Sequence, residues 1–143
     1  MSRLEEQIDI NAPAQKVWER LHDVESYATF MDGVQRAHAP SPNRAHLDVR
    51  AGEVQQEFEA VLTERGNEQV LAWETQGSPE LKGTLSVRSL DQNHSQVQVR
   101  LEYEPEAVHD TFGGPRGMAQ IHQIENTVRG DLEQFKNMME AER

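Results

Sequence analysis

The stretch MAQIHQIENTVRGDLEQFKNMM, residues 118–139, decides how this chain folds. Its apolar positions Met118, Ile121, Ile124, Val128, Leu132, Phe135 and Met139 advance mostly by three or four residues, the step that gathers side chains on one face of an α-helix. Such a helix needs an apolar surface to lie on. Gly130 interrupts the run at a cost of about 1 kcal/mol relative to alanine, which is read as close approach to another backbone in preference to simple tolerance at an exposed turn.

The surface is supplied by what precedes it. From Gly33 to Glu104 the pattern switches to period two, punctuated by turn-forming clusters at Pro40-Ser41-Pro42-Asn43, Arg65-Gly66-Asn67, Gly77-Ser78-Pro79 and Asp91-Gln92-Asn93. Ala45, Leu47, Val49 and Ala51 alternate with His46, Asp48 and Arg50, and Phe58, Ala60 and Leu62 alternate with Glu57 and Glu59. Further strands are read over 69–75, 81–90 and 95–103, the last presenting Val97, Val99, Leu101 and Tyr103 on one side. This is an antiparallel meander with one wet and one buried face.

Before the meander, Leu4, Glu6, Ile8 and Ile10 share one side of a first strand. Asn11 offers a helix N-cap, Pro13 suits a first helical turn, and Val17, Trp18 and Leu21 recur at helical spacing. Tyr27, Phe30 and Met31 share a face of a second short helical piece that ends at Asp32-Gly33. After Pro105 a loop containing Gly113-Gly114-Pro115-Arg116-Gly117 is expected, fit to act as a flexible gate. The whole predicts one α+β domain over residues 1–143, with six or seven strands, two short helices after strand 1 and a long C-terminal helix.

Composition removes several function classes. A formal charge of −11, from 25 acidic against 14 basic residues, repels phosphate backbones, so nucleic acid is not an expected partner. The absence of cysteine excludes disulfides and thiolate chemistry. The six histidines show no metal-binding spacing, so neither a metal nor a cofactor is expected. No stretch approaches the roughly 18 apolar residues of a membrane span, and residues 1–10 carry no apolar leader core, so a cytoplasmic monomer or homodimer is expected.

The order of elements, together with particular residues, resembles the START-like (SRPBCC) superfamily, above all its bacterial polyketide cyclase/dehydrase-like and coenzyme Q-binding-like members. The residues that carry the resemblance are Ile10-Asn11-Ala12-Pro13 with Val17-Trp18, Asp23-Val24-Glu25-Ser26-Tyr27 with Phe30-Met31-Asp32-Gly33-Val34, and Leu71-Ala72-Trp73 with Gly83. Leu101-Glu102-Tyr103-Glu104-Pro105 and Gly130-Asp131-Leu132-Glu133-Gln134-Phe135-Lys136 complete it. The resemblance implies a helix-grip fold, in which a curved antiparallel sheet wraps the long C-terminal helix around an apolar cavity whose entrance lies near the short helices.

Candidate ligand-contacting residues are Tyr27, Phe30, Met31, Phe58, Trp73, Tyr103, Phe112, Met118, Ile121 and His122, chiefly broad apolar faces suited to flat or greasy ligands. Trp18 and Trp73 also read as core. His122 with Glu125 one turn on is a possible acid–base pair, or else a surface pair; Tyr103 and Arg116 are the other catalytic candidates. Arg50, alternating with apolar neighbours, is expected to face outward. Three functions remain open: carriage of a lipid, quinone or polyketide-like aromatic; aromatase/cyclase chemistry by general acid–base groups and shape; and a regulatory protein-interaction module.

Overall fold

The computed structural model describes residues 2–51, 53–65, 69–77, 80–114 and 117–142, apart from the side chains of Ala51 and Phe112. Arg116 and Pro115 lie outside the described residues. Strand β1 (Ser2–Ile10) leads into helix α1 (Ala14–His22) and a 3₁₀ turn, η1 (Val24–Thr29). Six strands follow: β2 (Val34–Ser41), β3 (Arg44–Ala51), β4 (Val54–Arg65), β5 (Val70–Gln76), β6 (Leu81–Asp91) and β7 (His94–Tyr103). Helices α2 (Pro105–Phe112) and α3 (Met118–Ala141) complete the chain.

All seven strands form one antiparallel sheet in the order β1-β7-β6-β5-β4-β3-β2. The meander supplies β2 to β7, and β1 closes onto the last of them, Ser2 opposite Tyr103 and Ile10 opposite Ser95. The period-two sets fall on one face as expected: Leu47 stands opposite Phe58 and Leu71 opposite Leu85, while His46 and Glu59 pair on the other face.

The core lies between this face and α3. Ile10, Val17, Val97 and Phe135 are almost wholly buried there. Ser95 is buried too, and its hydroxyl donates to the Ala12 carbonyl at 3.0 Å, which satisfies the group and fixes the chain leaving β1. Polar contacts then hold the helix to the first strand: Arg129 Nη2 reaches Glu6 at 3.0 Å, Lys136 Nζ donates to the Asp9 carbonyl at 2.8 Å, and the Asn11 N–H donates to Glu140 at 3.0 Å.

Three local expectations are corrected. Asn11 does not cap α1; Pro13, extended at φ −62° and ψ 143°, precedes the first helical residue, and no side chain caps the turn. The segment after Tyr103 is a helix rather than a loop, with Pro105 at its start and Gly113, at φ 71°, stopping it. Eight residues are too few for periodicity to announce it. Gly130 is not a close approach, because a side-chain carbon there would meet nothing within 4 Å. The short helical piece expected around Tyr27 is present, and it is a 3₁₀ turn. There Ser26 Oγ donates to the Asp23 carbonyl at 2.8 Å and Thr29 Oγ1 to the Ser26 carbonyl at 2.5 Å, which favours the tighter turn.

The demanding glycine is Gly83. It stands opposite Trp73, and a methyl group there would sit 2.3 Å from the Arg100 carbonyl oxygen and 2.9 Å from Trp73 Cζ2. Backbone cannot yield as a flexible side chain can. Gly83→Ala should therefore destabilise the fold by about 2–3 kcal/mol, seen as a lower urea midpoint with an unchanged slope.

Candidate functional site

Packing α3 against the concave face leaves an apolar cavity of about 280 Å³. Its floor is made by Leu71 and Trp73 of β5, Leu81 and Leu85 of β6, and Val97, Val99 and Leu101 of β7. One wall is built from small residues, Ala45 of β3 and Ala60 of β4, beside Leu47 and Leu62. Their short side chains leave space that larger ones would fill. Val128, Leu132 and Phe135 of α3 form the roof, and Tyr27, Phe30 and Met31 close one end.

The aromatic end is fixed by its own contacts. Phe30 packs between Tyr27, with ring centroids 5.5 Å apart, and Phe135 at 4.9 Å. The Tyr27 hydroxyl donates to the Leu21 carbonyl at 2.5 Å. Burial pushes this phenol far above its ordinary range, and the Asp23 carboxylate adds to the shift, so it stays protonated. Tyr27 thus shows the cavity a ring rather than an ionisable group.

The ionisable group is Asp131. It lies half-buried on α3, one residue before Leu132, and is the carboxylate of the lining. Desolvation raises its pKa from the ordinary 3.8 to about 6; the nearby Asp32 charge adds to the rise, and the hydrogen bond from the Asp32 N–H opposes it. That N–H donates to Asp131 Oδ1 at 3.2 Å, while Gln134 Nε2 donates to the Asp32 carboxylate at 3.0 Å. A carboxyl that titrates near neutrality inside apolar walls can donate or accept a hydrogen bond, or exchange a proton, with a bound molecule. Asp131 escaped attention as chemistry because in the sequence it reads as a charged residue beside an apolar stripe. Its helical phase, three residues after the roof residue Val128, was the available signal.

The other candidates separate. Tyr27, Phe30, Met31 and Trp73 line the cavity. Phe58 and Tyr103 are buried but are not among its lining residues. Ile121 is partly buried beyond the lining, and Met118, 65% exposed, turns to solvent. His122 is exposed and lies 4.0 Å from Glu125, the surface arrangement. Glu125 also acts on Tyr103, whose pKa is raised by burial first and by that charge second. The three therefore gather near the N-terminal half of α3, outside the lining of the cavity. Arg50 faces outward, as its alternation implied. The Phe112 side chain and Arg116 lie outside the described residues.

Residues 10–130 match the sequence profile of a family described as polyketide cyclase / dehydrase and lipid transport. An uncharacterized 17.2 kDa protein from the melC2-rnhH intergenic region of Streptomyces lincolnensis is 28% identical over 141 residues, which cover 98% of this chain and 91% of that protein. Among solved structures, a START superfamily protein from Mycobacterium smegmatis superposes with a TM-score of 0.81 at 14% identity, covering 99% of both chains. The Zhui aromatase/cyclase from Streptomyces sp. R1128 superposes at 0.78 with 16% identity, covering 97% of this chain and 93% of its own. At these identities the two structures attest a shared fold.

The raised pKa of Asp131 sets a pH dependence. A carboxyl whose pKa is higher folded than unfolded binds its proton more tightly in the folded state. Its stabilising contribution is complete below pH 3.8 and is lost as the pH rises through about 6. Asp131→Asn, neutral throughout, should raise the thermal midpoint at pH 7.5 by roughly 2–5 °C, or about 1 kcal/mol after allowance for solvent screening. The advantage over wild type should disappear at pH 4 in the same scans.

Proposed function

The chain belongs to the polyketide cyclase / dehydrase and lipid transport family, and from that premise we propose that it binds a compact, largely apolar small molecule beneath α3, with one polar group of the ligand directed at Asp131. The observation that carries this reading is the cavity itself, whose walls are hydrocarbon and aromatic with one titrating carboxyl among them. Binding in such a site draws on removal of apolar surface from water, and the single polar group sets orientation.

Size narrows the class. About 280 Å³ falls just below the usual range of small-molecule sites, roughly 300 to 1,000 Å³. A ligand of two or three fused rings, or a short acyl chain, suits that space better than a diacyl lipid or a long-tailed quinone. The aromatic faces of Tyr27, Phe30 and Trp73 favour the fused-ring alternative.

A second reading, cyclase-type catalysis, draws support from Asp131, because a carboxyl with a pKa near 6 can pass a proton at neutral pH. Binding is the preferred reading, since Tyr27 is committed to the Leu21 carbonyl and the Tyr103, His122 and Glu125 group stands outside the lining.

The test is a binding screen by native mass spectrometry and fluorescence, using naphthols, hydroxyanthraquinones and fatty acids of eight to sixteen carbons. Ala60→Phe, which fills the cavity from its small-residue wall, should abolish uptake while the far-ultraviolet circular dichroism stays native. Asp131→Asn should weaken hydroxylated aromatics by about tenfold, or 1.4 kcal/mol, and leave their unsubstituted parent rings unaffected. Retention of every probe by Ala60→Phe would remove the cavity from consideration.

A further inference from the structure

The convex face of the sheet, away from the cavity, carries a second constellation. Register places His38 opposite His46 and His46 opposite Glu59, a row across β2, β3 and β4; in the neighbouring row Asp48 stands opposite Glu57. His46 is hydrogen-bonded at both ring nitrogens, Nδ1 to the Glu59 carboxylate and Nε2 to Asp48 Oδ1 at 3.1 Å. Ligand atoms of His46, Asp48 and Glu57 all lie within 4.8 Å of one another. The His38 ring is centred 5.5 Å from that of His46.

We propose that His46, Asp48 and Glu57 form a site for a first-row divalent transition ion, represented by Zn²⁺, with Glu59 orienting the His46 ring. Ligand atoms about 2.1 Å from a tetrahedral ion stand roughly 3.4 Å apart, and the His46–Asp48 pair is already near that spacing. Glu57 is exposed, so its side chain closes the remaining distance by rotation rather than by backbone movement.

The Glu59 contact is the independent sign. A metal-bound imidazole characteristically donates its other ring N–H to a carboxylate, which fixes the tautomer and turns the free nitrogen to the ion. Glu59 occupies that second position, and Nε2 is hydrogen-bonded to Asp48, the carboxylate with which it would share the ion. Arg36, in register with Asp48, and Arg44 and Arg50, on the same face of β3, are cations beside the group.

One imidazole and two carboxylates suit zinc or its neighbours better than Ca²⁺, which prefers an all-oxygen shell. His38, exposed on the outermost strand, is placed to supply a second nitrogen. Standard motif spacing gave no hint of this, and the expectation of no metal came from that absence. The donors sit two apart on β3 and meet Glu57 through pairing with β4.

Calorimetric titration with ZnCl₂ at pH 7.5, paired with NMR of the six histidine rings, tests the proposal. One ion should bind per chain, and the His46 ring should shift first. His46→Ala should abolish binding. Asp48→Asn and Glu57→Gln should each weaken it by about tenfold or more, and Glu59→Gln, which leaves all three ligands in place, by about 10- to 100-fold. No uptake of Zn²⁺, uptake unchanged in His46→Ala, or first shifts at other histidines would each overturn it. These variants lie on the face opposite the cavity, so uptake of aromatic probes reports on that site separately.

Discussion

A single helix is too narrow to cover the concave face of a seven-stranded sheet. At about 4.8 Å between strands the sheet spans roughly 29 Å, whereas a helix with its side chains is about 10 Å wide. The rest of the face must be covered by something else or filled from within. The segment from α1 through η1 covers one region with Trp18, Leu21, Tyr27 and Phe30, and Phe135 reaches the floor of the sheet. Where Ala45 and Ala60 stand, neither helix nor strand fills the space. The cavity is the remainder of that mismatch, and its position follows from where the small residues lie.

Such a remainder is chemically quiet unless one polar group intrudes. Asp131 does so because the helix face that carries Val128, Leu132 and Phe135 is wide enough to include the position between two of them. The Asp32 N–H and the solvent at its half-exposed side make the carboxylate tolerable, and the apolar walls keep it from being ordinary. The same balance of partial burial and partial partnering supports a role in orienting a ligand.

Most of the architecture was legible in the residues. The switch from period two to period 3.6 located the meander and α3, and alternation assigned the correct face to Leu47, Phe58 and Val97. Helix α2 was not legible, because two turns hold too few apolar residues to establish a period. Gly130 misled because a glycine that packs against backbone and one that meets nothing read alike. Within the site, Tyr27, Phe30, Met31 and Trp73 were visible as aromatic or adaptable apolar side chains, whereas Asp131 was not, since charge beside a stripe usually means solvent. Met118 was drawn in by its phase alone, although the helix begins there and its side chain is exposed. The His46 cluster depends on which strands become neighbours, and period-two alternation does not determine that.

The pairing of β1 with β7 governs the order in which the molecule can assemble. During synthesis the first strand is left without its partner until residues 94–103 have been made, and α3, which lies over both, comes later still. Contacts this distant in sequence form slowly, since the intervening chain must lose its freedom before they can contribute. The neighbouring strands β2 to β6 can meanwhile pair as successive hairpins, with their apolar face uncovered. The space beneath α3 therefore comes into being only at the last step. A molecule of the right shape present at that moment would template the closure of the chain around it, as well as occupy a finished pocket.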